Sequence, residues 1–128
     1  MPTQSVTQII AQIKAKVPEL DAQLRAIHVG NVSDMLDTVW KIAHDEMAIL
    51  RSVSDPLDSV AIDQAVAVLI HDARRPAWTT FSALSVLLDD EEFSEELSSS
   101  VRQNIQSTHQ VAGQINTLLD ELHDLYQG

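Results

Sequence analysis

The sequence predicts an all-α fold: a compact bundle of about five or six helices with a long C-terminal helix. Three observations predict it. Apolar residues recur every three or four positions through most of the 128-residue chain, the period of a helix face rather than of a strand. Glycine occurs only at 30, 113 and 128, too rarely for a sheet with tight hairpins. Pro18, Pro56 and Pro76 fall at the joints between apolar runs, where helices stop or start. The length fits a single helical domain over 1–128, and an apolar content of 45% fits a globular one. Aromatics are only 4% of the chain, so the core must be aliphatic.

Ser5-Val-Thr-Gln8 has the spacing of a capping box, with a hydroxyl at the cap and an amide three residues on. Val6, Ile9, Ile10, Ile13 and Val17 follow at helical spacing, and Pro18 is expected to end or kink that helix. A second short helix is expected from Glu19 to Val29, closed by Gly30. Asn31 or Ser33 can cap the next helix, whose stripe is Leu36, Val39, Trp40, Ala43, Met47 and Leu50. Asp37 and Lys41 form an i,i+4 pair in the favourable order.

Ser54-Asp55-Pro56 reads as a stop followed by a start. The run from about Leu57 to Arg74 is apolar nearly all round, so it should sit in the core or be covered by a partner. Pro76 is expected to end it, and Trp78, Phe81, Leu84, Leu87 and Leu88 mark a shorter helix. The last segment is the most regular. Leu97, Val101, Asn104, Thr108, Val111, Ile115, Leu118, Leu122 and Leu125 alternate in spacings of four and three, a heptad register. An unbroken helix from Glu92 to Tyr126 would be roughly 50 Å long. It should therefore break near Gly113, which could instead serve a close helix crossing, or else project onto another chain. The two longest helices, Asp34–Val53 and Glu92–Tyr126, are expected to run antiparallel.

Net charge is −11 and unevenly spread. Residues 1–75 hold ten acids and seven bases; residues 76–128 hold nine acids and one base, Arg102. Such a surface repels phosphate backbones and anionic lipid, so neither nucleic acid nor membrane is an expected partner. No cysteine is present, which excludes disulfides and thiolate metal sites and fits a cytoplasmic protein. No apolar run reaches the roughly 18 residues of a bilayer span, and no stretch has the layout of a signal peptide. A soluble protein is expected.

The five histidines lack the Glu-x-x-His pairs of a bundle metal site. Only His123 has a carboxylate at i,i+3 or i,i+4 spacing, Asp120, with Asp124 as its neighbour, and one helix is not enough. No metal and no cofactor are expected. Glycine scarcity removes phosphate-cradling loops, and no nucleophile elbow occurs; the chain reads as non-enzymatic. Arg74-Arg75-Pro76-Ala77-Trp78 reads as a neutralised helix end, a proline turn and a core tryptophan. The same residue types also make protein hot spots.

His109-Gln-Val-Ala-Gly113-Gln114 resembles in spacing the reactive segment of histidine phosphotransfer domains, which are four-helix bundles of similar size. It departs from that pattern where a lysine is expected, at Ala112, and where a small residue is expected, at Gln114. Fifteen residues follow Gly113, too few for the two helices that such domains carry there.

The sharpest local feature is Leu88-Asp-Asp-Glu-Glu-Phe-Ser-Glu-Glu-Leu97, with carboxylates at Asp89, Asp90, Glu91, Glu92, Glu95 and Glu96. It has no central glycine for a calcium loop. It reads as the acidic first turn of the last helix, with Phe93 and Leu97 turned inward, and the stretch to Ser100 is the best candidate for a mobile segment. Acids in a first turn stabilise a helix by ~0.3–1 kcal/mol each, which accounts for two or three of the six.

These readings lead to an acidic protein-binding module, an adaptor or assembly subunit, whose partner is a protein with a basic surface. The expected contacts are those six carboxylates together with Leu118, Leu122 and Leu125 of the heptad helix. A homo-oligomer through the leucines is one form of that reading. The alternative is an inhibitor or immunity-type protein whose acidic face imitates nucleic acid to block a basic site. A second alternative is a phosphotransfer bundle using His109.

Overall fold

The computed structural model describes residues 6–27, 34–89, 95 and 98–127. They form an all-α bundle of four helices: α1 (Val6–Ala26), α2 (Asp34–Ser54), α3 (residues 62–89) and α4 (Ser99–Gln127). A 3-10 turn, Asp55–Ser59, joins α2 to α3. Helix α3 is continuous but composite: α-helical Ile62–Val68, a π turn at Leu69–Ala73, and α-helical Arg74–Asp89.

Four rather than five or six helices result because two prolines do not interrupt. Pro18 lies inside α1. Its fixed φ is compatible with a helix, and the cost is one missing N–H donor. Pro18 is exposed, so water reaches that turn. Ile13, Val17, Leu20 and Leu24 are buried on both sides of it and form one stripe. Burial of that stripe outweighs the local break, and residues 19–26 of the expected Glu19–Val29 helix belong to α1. Pro76 lies inside α3, just after the π turn. The extra residue of a π turn widens the backbone ring, so the proline ring need not clash with a regular turn. Thr80 Oγ1 donates to the Pro76 carbonyl at 2.8 Å and satisfies its own buried hydroxyl.

Helix orientation follows from contacts between elements. Arg75 meets Glu46 across α2 and α3. Ser85 meets His109, and Arg74 meets Asp120, across α3 and α4. Lys16 meets Gln114 across α1 and α4. On α3 and α4 the paired positions run in opposite order, so these helices are antiparallel; the short Asp55–Ser59 turn sends α3 back along α2, and α4 closes the ring against α1. It follows that α2 and α4 sit on the diagonal and run parallel, not antiparallel as the sequence suggested.

The long helix has an equally long neighbour. At 1.5 Å per residue, the 29 residues of α4 span about 43 Å. The three parts of α3, of 7, 5 and 16 residues, span about 42 Å. Helix α4 therefore needs no break, and it runs unbroken through Gly113. There a Cβ would stand 3.2 Å from Phe81 Cε1, so the glycine permits the close α3–α4 crossing.

The 57–74 run is not central as a whole. Ala65, Val66, Leu69, Ile70 and Ala73 are buried, while Ile62 is exposed. The core is aliphatic, as composition requires, and joins Ile13, Leu24, Met47, Leu84, Ile105 and Ile115 from all four helices. Thr108 occupies a buried seam position, where its hydroxyl bonds back to the Asn104 carbonyl at 2.8 Å.

Candidate interaction surface

The predicted contact residues fall into two groups. Asp89, the last residue of α3, and Glu95 are both exposed. Asp90, Glu91, Glu92 and Glu96 lie outside the described residues, as do Phe93, Leu97, Ser5, Gly30 and the cap candidates Asn31 and Ser33. Leu118 and Leu122 are 6% and 0% exposed, inside the chain's own core, and Leu125 is 42% exposed. The heptad seam thus closes this bundle. Its two inner leucines cannot also meet another chain without opening it.

The acidic stretch does not form the first turn of α4. Ser98 caps that helix: its Oγ accepts from the Val101 N–H at 3.2 Å, and its carbonyl accepts from the Arg102 N–H. The first turn of α4 contains no acid. Asp89 stands at the C-terminal end of α3, where the helix dipole is negative and disfavours a carboxylate. No basic residue occupies that last turn. Asp89 therefore does not serve the dipole stability of α3.

The arginines are largely committed within the chain. Arg25 and Arg51 bind Asp21, Arg74 binds Asp120 at 2.9 Å, and Arg75 binds Glu46 at 3.0 Å. The Arg74-Arg75 pair is thus mid-helix and tied to carboxylates, not at a helix end. No group of three or more His, Asp or Glu among the described residues could hold a metal ion. No helix among them is long and apolar enough to cross a membrane.

A feature that the sequence reading placed in the core lies outside it. Trp78 is 59% exposed. Because Pro76 does not restart the helix, the phase set by Leu69 and Ala73 continues through Ala77 and Leu84 and turns Trp78 outward. Trp78, Phe81 and Ser85 share the flank of α3 that faces α4. The Trp78 and Phe81 rings are 5.6 Å apart, and Phe81 stacks on His109 at 4.3 Å. Asn116 Nδ2 closes the seam by donating to the Ala77 carbonyl at 3.1 Å. Arg74, Trp78, Leu119 and Asp120 line a cavity of about 310 Å³ beside it. The detectable signal was phase: counted through Pro76, the stripe leaves Trp78 off the core face.

His109 is fixed in this seam. Ser85 Oγ donates to the Phe81 carbonyl at 3.1 Å. The same Oγ lies 2.8 Å from His109 Nε2, and with its one proton given to the Phe81 carbonyl it accepts from an Nε2–H. Burial lowers the His109 pKa from its ordinary value, and Asp89 partly offsets that. His44, edge-on to Trp40 at 4.5 Å, is also lowered, by burial first and then by Arg25, against opposing Asp21 and Asp45.

Both histidines make stability pH-dependent with one sign. The unfolded imidazoles titrate near 6.5 and the folded ones below it. Stability from this source is complete above about pH 6.5 and declines as pH falls towards the folded values, because the unfolded chain takes up protons first. Thermal unfolding should show a larger drop in Tm between pH 7.5 and 5.5 for the natural chain than for His44→Gln/His109→Gln. Equal drops would refute this assignment.

Comparison with known proteins finds no family model, no curated protein and no solved structure that matches this chain.

Proposed function

We propose that this chain is a non-enzymatic, acidic protein-binding module, an adaptor or assembly subunit, whose carboxylate-rich end engages a basic protein surface. One observation carries the reading. Asp89 is exposed at the negative end of α3, and α4 is capped by Ser98 without acids in its first turn. Residues that break a local rule of helix stability without a structural return are expected at functional positions. A concentrated negative charge speeds encounter with a positive surface and repels nucleic acid and anionic lipid. The cytoplasm is the proposed compartment.

The leucine contact is not part of this proposal, because Leu118 and Leu122 are buried. The nucleic-acid mimic shares the same charge and differs in its partner. The phosphotransfer reading is disfavoured by the bond from His109 Nε2 to Ser85 and by the burial of Ala112, the position where a lysine would be needed.

The test is charge reversal of Asp89, Asp90, Glu91, Glu92, Glu95 and Glu96 to lysine. Cross-linking and affinity capture with the natural chain should identify a basic partner that the reversed chain fails to bind, with helicity unchanged by circular dichroism. The natural complex should weaken steeply with salt. Equal capture by both chains would sink the proposal, and displacement of the partner by duplex DNA would favour the mimic.

A further inference from the structure

We propose that the cavity between α3 and α4 at Trp78 receives an arginine side chain of a basic protein partner. The inference rests on the basic partner proposed above and adds where that partner is anchored. Arg74, Arg75, Trp78, Asn116, Leu119 and Asp120 line this cavity of about 310 Å³. That is the small end of the range for ligand clefts and suits a single side chain. Trp78, at 59%, is the most exposed large hydrophobic among the described residues.

The lining has acceptors to spare. Asn116 Nδ2 donates to the Ala77 carbonyl at 3.1 Å and to the Ala112 carbonyl at 2.9 Å. Two carbonyls fix the amide, and its Oδ1 makes no hydrogen bond among the described residues. Asp120 Oδ1 accepts from Arg74 Nη2 at 2.9 Å; the side chain is 66% exposed, and Oδ2 remains for a second donor. The charges of Arg74 and Arg75 are balanced by Asp120 and Glu46. A guanidinium complements this site. Its plane stacks on the indole as a cation over the π face, and its N–H groups reach Asp120 Oδ2 and Asn116 Oδ1. A lysine ammonium cannot stack, and a phosphate or carboxylate meets these acceptors in a chain of net charge −11.

One face of α3 joins the cavity to the acidic end. Trp78 and Asp89 stand eleven residues apart in the segment Arg74–Asp89. Eleven residues are close to three turns, so the two share a face about 16 Å long. Exposed Val86 lies between them. At about 3.3 Å per residue, roughly five residues of an extended basic segment cover that distance. An arginine at one end enters at Trp78, and the other end meets Asp89, the first of the six carboxylates in sequence. Tryptophan and arginine are also the side chains that most often anchor protein interfaces.

Calorimetric titration of the full chain with hexa-arginine and with hexa-lysine at low salt tests it. Hexa-arginine should bind about tenfold tighter. Trp78→Leu keeps an apolar side chain without a π face, and Asp120→Asn keeps the shape without the charge. Each should bring hexa-arginine to the affinity of hexa-lysine, with helicity unchanged. Reversal of the six acids to lysine should weaken both peptides and leave the arginine preference in place. Equal affinities in the natural chain, or a preference that survives Trp78→Leu or Asp120→Asn, would overturn the arginine site while the basic partner stands. Binding of neither peptide would overturn both.

Discussion

Leu122→Ala is expected to lower the stability of the fold by about 2–5 kcal/mol, and Leu125→Ala by less than about 1 kcal/mol. The two leucines are three residues apart on the same heptad seam, and sequence alone treats them alike. Leu122 is fully buried and belongs to the continuous aliphatic core, whereas Leu125 is 42% exposed near the end of α4. Truncating Leu122 removes methyl groups from that core and leaves a cavity lined by neighbours that can only partly collapse. Truncating Leu125 mainly removes atoms that already contact water. Urea unfolding followed by circular dichroism would separate the two, with a common slope showing that only stability changed. Comparable small losses at both positions would mean that the seam of α4 is not closed by the chain's own helices in solution. Leu118→Ala, at 6% exposure, should behave like Leu122→Ala.

The fold class was legible because helical periodicity survives anything local. Ile9, Ile13, Val17, Leu20 and Leu24 keep the period across Pro18, and all are buried. The number of helices was less legible, because a proline signals only a local cost. Whether the chain stops depends on what the continued helix buries, and for α3 on a π turn that no residue type announces. The length of α4 by itself points to a break near Gly113 or to a second chain, because the sequence does not show that α3 runs on through Pro76 to match it.

The charged surface was legible in number but not in placement. Counting acids and bases identified the excess after residue 76. It did not show that Ser98 caps α4, that Asp89 ends α3, or that Arg74 reaches Asp120, 46 residues away. Those are tertiary facts. They change the meaning of the acidic stretch, because dipole compensation in α4 was the structural use the sequence offered for part of it.

Asp21→Ala is expected to cost about 1.5–3 kcal/mol, the range for hydrogen bonds to charged groups. Asp21 is 8% exposed, and its two oxygens are used separately. Oδ1 accepts from Arg25 Nε at 3.1 Å, and Oδ2 accepts from Arg51 Nη1 at 2.9 Å, which ties α1 to α2. Arg51 also donates through Nε to Asp55 at 3.2 Å, so one carboxylate organises the end of α2. The loss should exceed that of Asp120→Ala, because the Arg74–Asp120 pair is exposed on both sides and such pairs contribute about 0–1 kcal/mol. A double-mutant cycle of Asp21→Ala with Arg51→Ala should give a coupling above about 0.5 kcal/mol. His44 provides an independent readout. Burial and Arg25 lower its pKa, and Asp21 is the leading opposing influence. Removing that carboxylate should therefore move the His44 titration, followed by NMR, to lower pH. A variant with unchanged stability and unchanged His44 titration would show that Asp21 does not hold these helices together.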